Sequence, residues 1–398
     1  MLRAVISRVV IALGCAALVA AQSSSDGWPR VAALYRQRLQ DAGIVGSGLM
    51  VVRNGVVVHQ AFEGFQDQQT RRPVDERTIF HWASITKTLT GVAIMQLRDR
   101  GLIALDDPAI KYVPELRLVH NPYGDMSHVT IRQLMSHSAG FRAGTWPWGG
   151  DQPWHPFEPT RWEQLVAMLP YTEIQFKPGS KYSYSNPGVI FLGRIIELFS
   201  GDDYEVYITK NILMPLGMSR SFFDRAPYHL AASRSHSYLF DRDRDKAPVE
   251  QRFDFDTGIT VSNGGLNAPV ADMAKWLAFL IGVRVPAAAA EPYDTILKRS
   301  SIEEMFTPQI RAKDGEGGSG SDVQAGLSSF IERHNGVELV GHSGDQNGFI
   351  SHLYIHRPSQ SGYVVSFNTE TRAAREPRRS TRAVDDDLRD AIVREIFK

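Results

Sequence analysis

Cysteine is almost missing from this chain. Cys15 is the only one, and it lies in an N-terminal apolar run, so no disulfide is available to the rest of the 398 residues. Charge of one sign is missing too: 44 basic residues stand against 44 acidic ones, and that balance offers nothing to attract nucleic acid. Long apolar runs are absent. Val9 to Ala21 falls short of the ~20 residues a membrane-spanning helix needs, so no stable span is expected. The twelve histidines contain no H-E-x-x-H, so no zinc site follows from motif. No internal repeat is evident.

What the N-terminus does contain reads as a signal peptide over 1–21. Arg3 and Arg8 precede the apolar run, which ends in Val19-Ala20-Ala21 before Gln22. Ala12-Leu13-Gly14 is a poor triplet for lipidation at Cys15, and the apolar residues continue past it. Export to the periplasm or the extracellular space is the expectation, with Cys15 lost on the way.

The remaining chain is long enough to bury a large core and form two subdomains. Trp28 to Ala42 has the spacing of an amphipathic helix, with Val31, Leu34, Tyr35 and Leu39 on one face. Gly48–Val52 and Val56–Val58, around Asn54-Gly55, predict a β-hairpin. From Leu105 strand character fades. Helices are expected near Asp106–Pro114, Val129–Ser136, Glu163–Leu169, Ile190–Ser200 and Tyr204–Met214. Strand character returns near Phe253, and a helix over Pro269–Ile281 is expected to be capped near Asn267. After a Gly/Ser-rich loop at 314–322, a meander follows in Gly326–Arg333, Phe349–His356 and Tyr363–Asn368. A last helix, Val384–Phe397, buries Leu388, Ile392 and Ile396. The expected architecture is α+β: an antiparallel sheet made from both chain ends (about 27–104 and 252–398) with a mostly helical insertion (about 105–251).

Three stretches carry chemistry. In His81-Trp82-Ala83-Ser84-Ile85-Thr86-Lys87 the form S-x-x-K opens a helix. Residues three apart share a face, so the Lys87 ammonium can lie beside the Ser84 hydroxyl, with first-turn amides pointing at whatever forms there. In Tyr182-Ser183-Tyr184-Ser185-Asn186 a phenol and a carboxamide stand two apart on a turn and can reach one site. Gly341-His342-Ser343-Gly344-Asp345 is a polar, glycine-rich stretch leading into a core strand. It permits a substrate backbone to approach the sheet edge, with the Asp345 amide as an oxyanion donor.

Two further stretches have bland readings. Ser136-His137-Ser138 before Gly140 is read as a helix end with polar capping. Gly144 to Trp162 is a long loop whose Trp146, Trp148, Trp154 and Trp162 either roof a substrate groove or pack the loop down. Gly341-His342-Ser343-Gly344 mimics the nucleophile elbow of α/β-hydrolases. Asp345 replaces its last glycine, however, and no histidine follows His356.

S-x-x-K, Y-x-N and His-x-Gly in this order resemble the serine hydrolase family of class C β-lactamases, D-alanyl-D-alanine carboxypeptidases and related esterases. The resemblance covers most of Trp28 to Asn368 and includes Asn263-Gly264-Gly265-Leu266. It implies a β-lactamase/transpeptidase-like fold over 27–398, no cofactor, and a small-molecule or peptide-like acyl substrate. Ser84 would be the acylated nucleophile, Lys87 its activator and Tyr184 the proton shuttle. Asn186 would orient Lys87 and the substrate amide. His342, Ser343, Gly344 and Asp345 would line the substrate side, with the Ser84 and Asp345 amides as oxyanion hole. Ionising Tyr184 at neutral pH needs a shift of about three units, or roughly 4 kcal/mol, which one buried ammonium can supply. Neutral Lys87 as base is equally open, since the two protons belong to a coupled pair.

His-Ser-Gly in place of Lys-Thr-Gly is the departure from the lactamase pattern. An ordinary imidazole, pKa near ~6.5, is mostly neutral at pH 7.5. Esterase or D-amino-acid peptidase activity is therefore expected over efficient β-lactam hydrolysis, with carboxylate-bearing substrates binding better as pH falls through the His342 pKa. The alternative is a penicillin-recognising sensor that acylates without turnover.

Overall fold

The computed structural model describes residues 27–141, 159–241, 247–251, 257–284, 291–312, 322–372 and 380–397. The signal-peptide segment, Trp146, Trp148, Trp154 and most of the 314–322 loop lie outside them.

Nine strands form the main sheet. In spatial order they are Arg72–Pro73, Val56–Asp67, Gly46–Arg53, Ser361–Phe367, Phe349–His356, Val337–Gln346, Phe330–His334, Asp322–Ala325 and Ile310–Ala312. Every pairing is antiparallel, and the N-terminal strand Gly46–Arg53 joins the C-terminal strand Ser361–Phe367 in the interior of the sheet. Both chain ends thus build one sheet, and the segment between them is mostly helical. The hairpin at Asn54-Gly55 has positive φ at both residues, as its turn requires.

Two apolar layers cover the sheet. On one face the Trp28–Ala42 and Thr381–Glu395 helices bury Val31, Tyr35, Leu39, Val384, Leu388 and Ile392 against Leu49, Val51 and Val365. On the other, the Thr86–Asp99 helix is buried from Thr86 through Leu97. A helix buried all round must satisfy its polar side chains internally. Its threonines do so: Thr86 Oγ1 donates to Ala83 O at 2.6 Å, Thr88 Oγ1 to Ile85 O at 2.8 Å and Thr90 Oγ1 to Ser262 O at 2.6 Å. This helix is the fixed post on which the site is built.

Several local expectations are corrected. Asp106–Pro114 yields only a 3-10 turn at Ala109–Lys111, and Ile190–Ser200 extends back to Asn186. The Val270–Ile281 helix starts after Pro269. Asn267 sits in a short strand, Leu266–Pro269, where its side chain meets His81 instead of capping the helix. The stretch from Gly341 to Phe349 leads into the Phe349–His356 strand as expected, but its first part is itself strand, within Val337–Gln346, and the turn falls at Asn347-Gly348.

Candidate functional site

Ser84 lies on a 3-10 turn, Ala83–Ile85, that runs directly into the Thr86–Asp99 helix. Ala83 holds φ +45°, a left-handed conformation costing a non-glycine residue roughly 1–2 kcal/mol. The residue before the turn is tied to the Leu266–Pro269 strand: Trp82 N–H donates to Leu266 O at 2.9 Å and the Trp82 indole donates to Ala268 O at 2.8 Å. Strain imposed by packed surroundings beside a half-buried hydroxyl fits a functional site.

Lys87 is fully buried. Its Nζ donates to Ser84 Oγ at 2.9 Å and to Asn263 O at 2.7 Å, and lies 5.0 Å from the centre of the Tyr184 ring. The Tyr184 hydroxyl donates to Ser84 Oγ at 2.9 Å from across the site. Ser84 Oγ is therefore bracketed by an ammonium and a phenol. Tyr184 sits on the turn before the Asn186–Ser200 helix, whose N-cap, Ser185 Oγ, accepts from Gly188 N–H at 3.1 Å. Sequence-distant residues, 84 and 184, are brought together by docking one helix start against another.

Asn186 occupies the first turn of that helix. Its Oδ1 is buried with no hydrogen-bond partner, so the carbonyl of Asn263 accepts from Lys87 where Asn186 was expected to orient it. Asn263 was visible in sequence only as part of Asn263-Gly264-Gly265. A backbone acceptor leaves no residue-type signal.

His342 is buried and rests against Phe330, with ring centres 5.1 Å apart, and 6.4 Å from Tyr184. Its Nδ1 lies 2.6 Å from Ser343 O, which can only accept, so Nδ1 carries the proton and Nε2 is a bare acceptor, buried without a partner. Burial, reinforced by the Lys87 ammonium, pushes its pKa down to about 3. The expectation of an ordinary imidazole titrating near neutrality is overturned: desolvation keeps it neutral through the working range. Gly344 is required by contact, because a Cβ there would lie 2.3 Å from Trp82 O. Ser343 is half-buried and pairs across the sheet with His352. The Asp345 carboxylate is engaged by Arg382 of the last helix.

Of the four tryptophans between 144 and 162, the described one packs. Trp162 donates to Glu115 Oε1 at 3.2 Å and lies edge-on to Phe191. Among the described residues no group of three or more His, Cys, Asp or Glu could hold a metal, and no helix is long and apolar enough to cross a membrane.

Solved structures share this arrangement of sheet and helices. The octameric penicillin-binding protein homologue from Pyrococcus abyssi has a TM-score of 0.71 at 28% identity, covering 86% of this chain and 73% of that one. The D-stereospecific amidohydrolase from Streptomyces sp. has a TM-score of 0.66 at 25% identity, covering 85% and 94%. The fold is that of the β-lactamase-type serine hydrolases. The Beta-lactamase family model matches residues 31–387, and the chain belongs to that family. Protein flp of Staphylococcus aureus (strain COL) is 25% identical over 345 residues, 87% of this chain and 64% of flp. The chain thus spans less than two thirds of that relative's length.

Proposed function

We propose that this protein is an exported serine hydrolase that cleaves esters or amides bearing no carboxylate, D-amino-acid amides among them, through an acyl-enzyme on Ser84. The observation that carries the reading is Ser84 Oγ held at 2.9 Å from both Lys87 Nζ and Tyr184 OH. The Lys87–Tyr184 pair, one proton short as either neutral lysine or tyrosinate, takes the Ser84 proton as Oγ attacks the carbonyl carbon. The oxyanion is held by the amides of Ser84 and Asp345. Collapse expels the alcohol or amine, which takes the proton back from Tyr184. Water then attacks the ester on Ser84 by the same route and releases the acid.

The substrate preference rests on His342. A neutral imidazole stands where a lysine would supply a permanent cation for a carboxylate, so β-lactams and peptide C-termini are poorly served. The structural likeness to the D-stereospecific amidohydrolase from Streptomyces sp. supports an amide-cleaving member. Export is supported by Arg3, Arg8 and the Val9–Ala21 run.

The test is a mass spectrum of the protein after incubation with a neutral ester, a D-amino-acid amide and a β-lactam. A transient adduct on Ser84 with released product is expected for the first two. Ser84→Ala should lose both adduct and turnover. Undiminished hydrolysis by that variant overturns the assignment, and a lasting adduct identifies an acylating receptor instead.

A further inference from the structure

His137 takes no part in the chemistry above, yet it touches the catalytic turn at three points. Its backbone O accepts from Ser183 N–H at 2.8 Å, and its Nδ1 accepts from Ser185 N–H at 3.2 Å. Its ring centre lies 4.5 Å from that of Tyr184, the residue between those two donors. The other side of the imidazole stacks on Phe330 at 6.3 Å with only 12° between planes, and Tyr182 meets it edge-on. The ring is buried, and its backbone adopts φ +55°, a region that histidine and asparagine enter more readily than most residues. A helix end requires none of this. Polar capping would be satisfied by Ser136 and Ser138, whose hydroxyls already bond each other and Arg132 O.

We propose that His137 is a positioning residue for Tyr184: by gripping the amides on either side and packing its ring on the phenol, it fixes the Tyr184 hydroxyl at Ser84. The inference rests on the role proposed above for Tyr184. Because Nδ1 accepts an N–H, the ring must be the neutral tautomer with its proton on Nε2. Burial, reinforced by the nearby Lys87 ammonium, holds it in that neutral form by keeping its pKa well below the usual histidine range. Two anchors from one residue, its backbone carbonyl and its Nδ1, together with the ring contact, set both the height and the tilt of the phenol. Misplacing a proton-transfer group by about an ångström costs on the order of 10²-fold in rate.

The test separates grip from packing, using steady-state kinetics on 4-nitrophenyl butyrate with folding followed by circular dichroism. His137→Phe keeps a ring against Tyr184 but offers Ser185 no acceptor. His137→Asn places an oxygen near the Nδ1 position and tolerates positive φ. Expected are a kcat lower by about 10- to 100-fold in His137→Phe with KM changed less than about threefold, and recovery of most of it in His137→Asn. Combined with Tyr184→Phe, the His137→Phe change should add less than about threefold, since the two act through one hydroxyl. A kcat in His137→Phe within about threefold of wild type, or losses that multiply in the double variant, overturns the positioning role while leaving that of Tyr184 standing. A Tyr184→Phe variant that is itself unimpaired overturns both. Should His137→Phe fail to fold, His137→Gln, whose oxygen falls near Nε2, is compared with His137→Asn: a slower Gln variant supports the grip and equal rates overturn it.

Discussion

At the scale of single residues, the site is a study in what burial does to ionisable groups. Tyr184 and Lys87 both reach Ser84 Oγ, so removing either hydrogen-bond partner should be costly. Tyr184→Phe is expected to lower kcat by about 10²–10⁴-fold, the usual span for positioned proton transfer, and a rate within about threefold of wild type would reduce Tyr184 to packing. His342 leads to a different expectation. With its pKa near 3, no charge appears on it between pH 5 and 8. The ratio of kcat/KM for a carboxylate-bearing substrate to that for a neutral ester should therefore be flat over this range, apart from titration of the substrate itself. A ratio that climbs as pH falls through ~6.5 would restore an ordinary imidazole there.

At the scale of elements, three pieces must meet within a few ångströms: the Ser84 turn, the Tyr184 turn and the Val337–Gln346 strand. The last approaches the first so closely that only glycine fits. A Cβ on Gly344 would stand 2.3 Å from Trp82 O and 2.5 Å from Ser351 Oγ. Gly344→Ala should push the strand away from the Ser84 turn and lower kcat/KM by on the order of 10²-fold. Wild-type kinetics in this variant would show that the strand edge does not set the oxyanion geometry. The strands on either side of that strand, Phe330–His334 and Phe349–His356, are tied to the last helix by a charge network around the buried Arg389. Arg389 donates to Glu332 at 2.8 Å, to the Tyr354 hydroxyl at 3.1 Å and to Asp386 at 2.7 Å, while His352 pairs with Asp385. Arg389→Ala leaves Glu332 buried without its cation, and a loss of about 3–5 kcal/mol in urea unfolding is expected. A loss under about 1 kcal/mol would mean the network contributes little to holding the helix.

At the scale of the whole molecule, three fully buried histidines make stability depend on pH. His81 is held near 4 and His342 near 3, and His137 is held well below the ordinary value, in each case chiefly by desolvation. The sign follows directly. Unfolding exposes imidazoles that bind protons below ~6.5, so between there and the folded values the unfolded state holds more protons and stability falls as pH falls. Each such histidine contributes a slope of about 1.4 kcal/mol per pH unit. Urea unfolding at pH 7.5 and 5.0 should therefore differ by several kcal/mol, with the decline starting near pH 6.5 and well above the carboxylate range. Equal stabilities at the two values would show that these histidines charge within the fold.

Much of this was legible in the sequence because local physics wrote it there. Helical spacing put Lys87 one turn from Ser84, Asn54-Gly55 could only be a tight turn, and short apolar runs at both ends marked strands of one sheet. The helix expected at Val129–Ser136 forms as Ile131–Met135, and the structure closes its start with a capping box between Thr130 and Gln133. Other features belong to the tertiary structure alone. That Asn263 offers its carbonyl to Lys87 could not be read, since every residue carries the same carbonyl. That His137 grips the Tyr184 turn, and that His342 is neutral, depends on what surrounds each imidazole and not on its neighbours in the chain. Residue type and spacing determined which chemical groups this protein owns and which of them share a helix face. Packing decided which protons they keep, because desolvation and through-space charge are properties of a position and no sequence pattern encodes them.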